Sequence, residues 1–319
     1  MMEKTHIDRL VTPDYFNRKE CEGCGCCISI CPYEALSMQT CADGIRRPRV
    51  DMTKCLRCNR CMDACEIYKC YYIPQKQYET ARRAAHMKYS LNPHIFVFGK
   101  TIKKPKISIS FLSYLLRGKQ NILIDTVPDK AADAYIQDIE SVLPVSQIDA
   151  LILNHSEEDH SGALQAVLDR HPQLPIYCTP ATKERLQPTY PEADFRVVQH
   201  GESLTLGDYT FQFIHTPGLH WPDNMVTWLA SEKILFSNDL FGQYLAEEPP
   251  VDAGYSKEAI LKGAEPYFER VFAPASESDK AIIADIAAMP IQTAATGHGL
   301  ILQSQWPAVR DFYVSHVIK

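Results

Sequence analysis

A nine-residue turn rich in histidine and acid constrains the fold of this chain more than any other stretch. Residues 150–153 form the apolar run ALIL, and the turn NHSEEDHSG follows at residues 154–162. The apolar run predicts a buried strand, so the imidazoles and carboxylates stand on the loop at its end. Donors packed this closely repel each other unless a cation neutralises them, and the turn therefore predicts a metal site. The alternative is a solvated acidic turn that opens a helix, but such a turn gives the two histidines no role.

Eleven of the twelve cysteines lie between residues 21 and 70, most of them in two runs with the same spacing. Each run reads Cys-x-x-Cys-x-x-Cys-x-x-x-Cys, and proline follows the first run at residue 32. The spacing resembles that of bacterial ferredoxins, in which three thiolates of one run and the last thiolate of the other hold each [4Fe-4S] cluster. The alternative is a pair of structural zinc sites, which rarely show this doubled spacing. The resemblance assigns Cys21, Cys24, Cys27 and Cys65 to cluster 1, and Cys55, Cys58, Cys61 and Cys31 to cluster 2.

Charge and hydropathy narrow the classes of partner. The 319 residues carry a net charge of -6, with 45% hydrophobic and 23% charged residues, which is typical of a soluble globular protein. The negative charge argues against nucleic acid or an anionic membrane as the main partner. No apolar run approaches the roughly 20 residues of a membrane span, and the N-terminus lacks the apolar core of a signal peptide. We therefore expect a cytoplasmic protein.

Three further donors follow apolar runs later in the chain. His220 stands in HTPGLHWPD at residues 215–223, Asp239 in FSNDLFG at residues 236–242, and His298 in TGHGL at residues 296–300. Glycine, proline or small residues flank each donor and let the backbone approach a site closely. These positions extend the metal site predicted at the acidic turn.

The combined motifs closely resemble those of the flavodiiron proteins, which have the metallo-β-lactamase fold and reduce oxygen or nitric oxide. Most hydrolytic members of that fold have His-x-His-x-Asp-His in the first motif, whereas Glu157 replaces the second histidine here. An anionic oxygen donor at this position favours iron over zinc. The resemblance implies a diiron centre with Trp221 packed against it. It places His155, Glu157 and His220 on one iron and Asp159, His160 and His298 on the other, with Asp239 bridging.

These features predict an α+β protein. We expect a ferredoxin-like domain for two clusters at residues 1–75, a linker at 76–92, an αββα metallo-β-lactamase-like sandwich at 93–305 and a tail at 306–319. Strands are predicted at residues 95–98, 107–115, 121–125, 150–153, 176–178, 195–198, 209–215, 225–230 and 234–236. Helices are predicted at residues 131–142, 163–171, 181–186, 256–270 and 279–288.

The resemblance implies an iron–sulfur and diiron oxidoreductase that reduces O2 to water, NO to N2O, or both. Only about twenty residues follow His298, too few for the flavodoxin domain of typical family members, so we expect no FMN within this chain. We expect a flavodoxin, ferredoxin or other flavoprotein as electron donor, and a homodimer or larger homo-oligomer. One alternative is a zinc-dependent hydrolase of the same fold with structural or regulatory clusters. Another is a diiron domain that serves electron transfer or sensing.

Overall fold

The chain folds as two units, Met1–Ala85 and His86–Lys319. The computed structural model describes residues 21, 23, 25–31, 33–51, 53–55, 61, 87–104 and 107–317. Three predicted cluster ligands, at positions 24, 58 and 65, lie outside these ranges, as does most of the predicted linker. Within the described ranges, no helix has the length and apolar character needed to cross a membrane.

A short helix and a hairpin form the described part of the first unit. Helix α1 (Cys26–Ser29) begins after Gly25, whose φ of 79° lies in a region that glycine enters without steric cost. Strands β1 (Leu36–Thr40) and β2 (Arg46–Val50) pair in antiparallel fashion. The predicted cluster ligands Cys21, Cys27 and Cys61 are buried in this unit.

A seven-stranded mixed sheet begins the second unit. Its first four strands pair in antiparallel fashion and its last four in parallel, so the fourth strand belongs to both halves. In spatial order the strands are β3 (Met87–Ser90), β4 (Ile95–Lys104), β5 (Ile107–Leu116), β6 (Ile122–Ile124), β7 (Ala150–Ile152), β8 (Ile176–Cys178) and β9 (Phe195–Val197). The short parallel strands β6 and β7 are buried on both faces, which explains their uninterrupted apolar sequence.

A five-stranded sheet follows and is antiparallel except at its last pair. Its strands, in spatial order, are β10 (Ser203–Leu206), β11 (Tyr209–His215), β12 (Met225–Leu229), β13 (Ile234–Asn238) and β14 (Thr293–Thr296). Strands β13 and β14 are parallel, so their carboxyl ends meet at the same edge of the sheet. The loops that follow these two ends carry Asp239 and His298.

Helices cover the outer face of each sheet. The helices of the first half of the unit are α2 (Ala132–Glu140), α3 (Glu158–Ser161), α4 (Leu164–Leu168) and α5 (Pro180–Leu186). The helices of the second half are α6 (Lys257–Val271), α7 (Glu277–Ala287) and α8 (Trp306–Val317). Serine or threonine caps three of these helices, because the side chains of Thr179, Ser256 and Ser276 each accept a hydrogen bond from the backbone N–H three residues later.

Three apolar layers hold the helices and sheets together. Side chains that alternate along β7 illustrate the arrangement: Leu151 packs towards α2 and α4, whereas Ile152 packs between the two sheets. On the other side, Val226 of β12 packs with α6, α7 and α8, and Met225 points between the sheets. The predicted αββα sandwich and the α+β class are thus confirmed.

The structure also contains elements that the sequence pattern did not predict. Strands β3, β10 and β14 and helix α8 are among the elements that the sequence analysis did not predict. Strand β14 reads Thr-Ala-Ala-Thr and β10 has only four residues, so neither gives a strong strand signal. Strand β3 falls within the range assigned to the linker, and α8 falls within the range assigned to the tail. The boundaries of the four predicted segments stay predictions.

Phe213 tests the layer between the sheets, where it is fully buried. We expect Phe213→Ala to lower the free energy of unfolding of the second unit by about 3–5 kcal/mol, because the ring leaves a cavity. Tryptophan fluorescence during chemical denaturation measures this change, since all three tryptophans lie in the second unit. The control Val197→Ala trims an exposed side chain and should change the value by about 0.5 kcal/mol or less. Equal effects of the two substitutions would contradict the layer assignment.

Candidate metal centre

Loops at the ends of four strands carry all seven predicted iron ligands. His155 follows β7, and Glu157 immediately precedes the short helix α3, which contains Asp159 and His160. His220 lies on the loop after β11, while Asp239 and His298 follow β13 and β14. The fold therefore gathers residues that are up to 143 positions apart in the sequence, from 155 to 298, at one edge of the sandwich.

The seven side chains form two groups. We call His155, Glu157 and His220 the first donor group, and Asp159, His160 and His298 the second donor group. Candidate ligand atoms of the first group, together with one from Asp239, all lie within 4.8 Å of one another, and those of the second group do so among themselves.

The carboxylate of Asp239 lies between the two donor groups. Its Oδ2 is 3.2 Å from Nε2 of His220 and 3.6 Å from Nε2 of His155. Its Oδ1 is 3.1 Å from Nε2 of His160 and 3.0 Å from Nε2 of His298. One carboxylate oxygen thus faces each group, which is the arrangement of a carboxylate that bridges two metal ions.

The remaining contacts within each group also converge. Oε2 of Glu157 is 3.3 Å from Nε2 of His155 and 3.2 Å from Nε2 of His220. In the second group, Oδ2 of Asp159 is 3.3 Å from Nε2 of His298, whose ring nitrogen lies 3.1 Å from that of His160. The candidate ligand atoms of each group thus converge on one small volume.

Unsatisfied polar atoms show that the donor set fits metal ions. Oδ1 of Asp159 and Oδ2 of Asp239 are buried and lack a hydrogen bond of acceptable geometry, although Oδ2 of Asp239 lies 3.2 Å from Nε2 of His220. Buried carboxylate oxygens without a partner are costly in free energy, and a bound cation removes that cost. The set contains four imidazoles and three carboxylates, a mixture that suits iron better than an all-histidine set does.

Electrostatics within the site point the same way. Burial alone would lower the pKa of His155, but hydrogen bonds to Asp223 and Glu157 raise it to about 10. Burial opposes the shift at His298 as well, yet Asp159 and Asp239 raise the pKa of that imidazole to about 10. Contacts with His155 and His220 lower the pKa of Glu157 to about 2. Without a metal ion the carboxylates therefore hold protons on the imidazoles, and metal binding would displace those protons.

Hydrogen bonds on the far side of the imidazoles fix their orientation. Nδ1 of His155 lies 3.2 Å from Oδ2 of Asp223, which also accepts the backbone N–H of Ser156 at 2.8 Å. Nδ1 of His298 lies 2.9 Å from the backbone oxygen of Ser110. A proton on each Nδ1 leaves the lone pair of Nε2 directed into the site, as a ligand requires.

A buried network ties two of the site loops to the end of β6. Asp125 accepts the backbone N–H of Asn154 at 2.7 Å and its side-chain amide at 3.0 Å. The same carboxylate accepts the side-chain amide of Asn238 at 3.1 Å. Asn154 and Asn238 directly precede His155 and Asp239, so this network sets the separation of those two donors.

Aromatic side chains and a glycine complete the surroundings. Trp221 meets the rings of His155 and His220 edge-on at centroid distances of 5.2 and 5.9 Å, and the guanidinium of Arg185 lies 4.0 Å from its centroid. The hydroxyl of Tyr267 donates to Oδ1 of Asp239 at 3.3 Å. A Cβ at Gly297 would lie 2.7 Å from Cε1 of His160, so this position needs glycine.

The sequence predicts the seven donors but not the residues that contact them. Asp223 was visible only as part of the HWPD segment, and nothing in the sequence pairs it with His155 across 68 positions. Asp125 and Tyr267 gave no recognisable signal, because an acid at a strand end and a tyrosine on a helix are common in any fold. Their roles depend on long-range contacts.

The cysteine loop of the first unit fits an iron–sulfur cluster. Gly23 has a φ of 72°, and a Cβ there would collide with the backbone oxygen of Arg46, so the loop lies directly against β2. The N–H of Ala35 donates to Sγ of Cys31 at 3.4 Å, a contact typical of cluster thiolates. The described cysteines and their glycine-rich loop thus offer the soft thiolate donors that iron–sulfur clusters need.

Two family matches agree with this division of chemistry. Residues 109–299 match the ODP family beta lactamase description, a range that includes all seven candidate ligands. Residues 14–37 match the 4Fe-4S binding domain, a range that includes the whole first cysteine run. The resemblance of the N-terminal spacing to ferredoxins is therefore confirmed for the first run.

The chain is also similar to individual proteins. It is 34% identical over 210 residues to an anaerobic nitric oxide reductase flavorubredoxin of Salmonella typhi, a match that covers 64% of this chain and 44% of that relative. Its fold is similar to that of a flavo di-iron protein mutant from Thermotoga maritima, with a TM-score of 0.67, 29% identity, and coverage of 72% and 61%. The rubredoxin oxygen:oxidoreductase of Desulfovibrio gigas has a similar fold, with a TM-score of 0.65 and 25% identity. That match covers 72% of this chain and 61% of the Desulfovibrio protein.

The matched region spans less than half of the length of the flavorubredoxin relative. The matches nevertheless confirm the resemblance to flavodiiron proteins and support both iron–sulfur binding and a diiron centre. Because the β-lactamase match alone covers more than half of the 319 residues, this chain belongs to the ODP family of the β-lactamase fold, with flavodiiron proteins among its relatives.

Proposed function

We propose that this chain is an oxidoreductase that reduces O2 to water, NO to N2O, or both, at a diiron centre that receives electrons from two [4Fe-4S] clusters. The observation that carries the proposal is the carboxylate of Asp239, whose two oxygens face two separate donor groups. Relatives named as a nitric oxide reductase and a rubredoxin oxygen:oxidoreductase suggest the two substrates. The second cysteine run, at residues 55–65, supports the second cluster.

The first donor group would hold one iron and the second donor group the other, with Asp239 shared between them. A diiron centre supplies one-electron redox chemistry and open coordination positions for a small diatomic molecule. The protein holds the imidazoles in the orientation set by Asp223 and by the backbone oxygen of Ser110. It thereby keeps the geometry of the donors fixed while the charge at the site changes.

Substrate reaches the centre through its exposed donors. The Glu157 and His220 side chains are 35% and 25% exposed, and Asp159 of the second group is 24% exposed. The imidazoles of His155, His160 and His298 are 0%, 0% and 5% exposed. Trp221 covers part of this open side, and the Arg185 guanidinium lies over its ring. Water and small molecules therefore reach Glu157, His220 and Asp159 before the buried imidazoles.

A zinc-dependent hydrolase is the other candidate for this fold. Its site needs a metal-bound water of lowered pKa, and histidine-rich donor sets support that chemistry. Glu157 lies within 3.3 Å of His155 and His220 and adds an anionic oxygen to the first group. This extra negative charge stabilises oxidised iron and favours the redox reading.

Metal content separates the two candidates. We expect about ten irons per chain after anaerobic purification, from two four-iron clusters and two further irons. Elemental analysis together with acid-labile sulfide measures this number, since only cluster iron accompanies sulfide. Zinc in place of the two further irons would establish the hydrolase and end the redox proposal.

Neighbouring glutamates provide a matched test of the first donor group. Glu157→Gln should release iron from the site and lower turnover with O2 or NO by about 100-fold or more, because an anionic ligand becomes a neutral amide. Glu158→Gln is the control: Oε1 of Glu158 accepts the N–H of Asp129 at 3.0 Å, and glutamine can accept the same bond. Turnover per chain and the ratio of iron to sulfide report the outcome, and equal behaviour of the two variants would contradict the ligand assignment.

Electron counting predicts how the clusters take part. Reduction of O2 to two waters consumes four electrons, of which two irons supply two and two clusters supply the other two. When the fully reduced protein is mixed rapidly with O2, cluster absorbance should therefore return to the oxidised value together with the irons.

The Glu157→Gln variant controls for direct attack of O2 on the clusters. If electrons leave the clusters through the irons, the clusters of this variant should reoxidise at least about tenfold more slowly than those of the parent chain. Clusters that stay reduced while the irons oxidise would show that electrons do not pass between them. In that case a separate redox protein supplies the iron site directly.

A further inference from the structure

A buried arginine lies beside the first cysteine loop. Arg47 of β2 is only 3% exposed, and its Nε donates to the backbone oxygen of Cys21 at 3.2 Å. Its Nη1 donates to Oδ1 of Asp43 at 2.7 Å. The guanidinium is thus fixed by bonds on two sides and cannot turn away from the loop that holds the first predicted ligand of cluster 1.

Backbone packing keeps this contact in place. Gly23 lies so close to the backbone oxygen of Arg46 that any Cβ there would collide with it. Gly23 therefore lies directly on β2, next to Arg47. Gly23 and Gly25 have positive φ, which glycine adopts without steric cost and which allows this close approach to the strand.

The carboxylate of Asp43 only partly offsets the positive charge of Arg47 at Cys21. Nη1 of Arg47 is 2.6 Å from Oδ2 of Asp43, but the Asp43 side chain is 44% exposed. Water screens an exposed carboxylate more strongly than it screens a buried guanidinium. A net positive field therefore remains on the side of the pair that faces Cys21.

We propose that the positive charge of Arg47 raises the reduction potential of the cluster assigned to Cys21, Cys24, Cys27 and Cys65. The inference rests on the proposed function, because it requires a cluster at this loop. One-electron reduction adds one negative charge to a cluster and its thiolates, and the electron comes from the donor protein or, in a test, from dithionite. A fixed positive charge nearby stabilises the reduced form more than the oxidised form.

Four substitutions in the full-length chain test the proposal. Arg47→Gln removes the buried charge, Arg47→Lys retains it, and Asp43→Asn removes its counter-charge. Arg49→Gln is the matched control, because Arg49 is an exposed arginine on the same strand that donates to Gln39 at 3.2 Å. Each anaerobically prepared protein is titrated with dithionite at controlled potential, with visible absorbance and electron paramagnetic resonance as readouts.

We expect one of the two cluster reduction waves to move and the other to stay. In Arg47→Gln the reduction equilibrium of that wave should weaken about tenfold or more, which is about 59 mV for a one-electron couple. Arg47→Lys should recover most of this loss, and Asp43→Asn should shift the same wave in the opposite direction. Arg49→Gln should change it by about threefold or less, because an exposed charge is screened.

The outcomes separate this inference from the proposed function. Equal potentials in Arg47→Gln and the parent, with sulfide and both waves intact, overturn the role of Arg47 and leave the proposed function standing. A parent chain without labile sulfide or a reduced-cluster signal overturns both. If Arg47→Gln loses its cluster, Asp43→Asn decides, since an unchanged or lowered potential there overturns the inference and a raised one supports it.

Discussion

The carboxylate of Asp239 is the interaction on which the site and its surrounding loops depend. It is almost fully buried, and its two oxygens face nitrogens of four histidines on the three segments that follow β7, β11 and β14. A buried carboxylate is tolerated only when positive charge or hydrogen bonds surround it closely. The loops after β7, β11, β13 and β14 therefore must arrive together, and the displacement of any one of them disturbs both donor groups.

The fold meets this requirement with paired strand ends rather than with long side chains. Strands β13 and β14 run in parallel, so the residues after them start from the same edge. Asp125 joins that edge to the end of β7 through Asn154 and Asn238. The backbone around the donors is thus held in place, and only short side chains separate it from the site. Such rigid support suits a site whose charge would change during a redox cycle.

Much of the candidate site could be predicted from the sequence because histidines and acids rarely cluster so closely unless they bind a metal ion. Two histidines among three acids after an apolar run have few structural uses, so His155 and its neighbours could be recognised locally. Strand β14 could not be, since Thr-Ala-Ala-Thr has weak strand propensity and is placed by its pairing with β13. Asp223 acts across 68 positions in sequence, and no local pattern predicts such a contact.

Both units solve the same electrostatic problem with different chemistry. In the second unit, Glu157 and two aspartates gather negative charge beside four imidazoles, and bound metal ions would neutralise it further. In the first unit, cysteine spacing predicts where thiolates gather, but the charge around them depends on which side chains β2 buries. Arg47 is buried and Arg49 is exposed although both belong to one five-residue strand. Ligand identity can therefore be read from spacing, whereas the energy of an electron at that site depends on burial that only the folded hairpin defines.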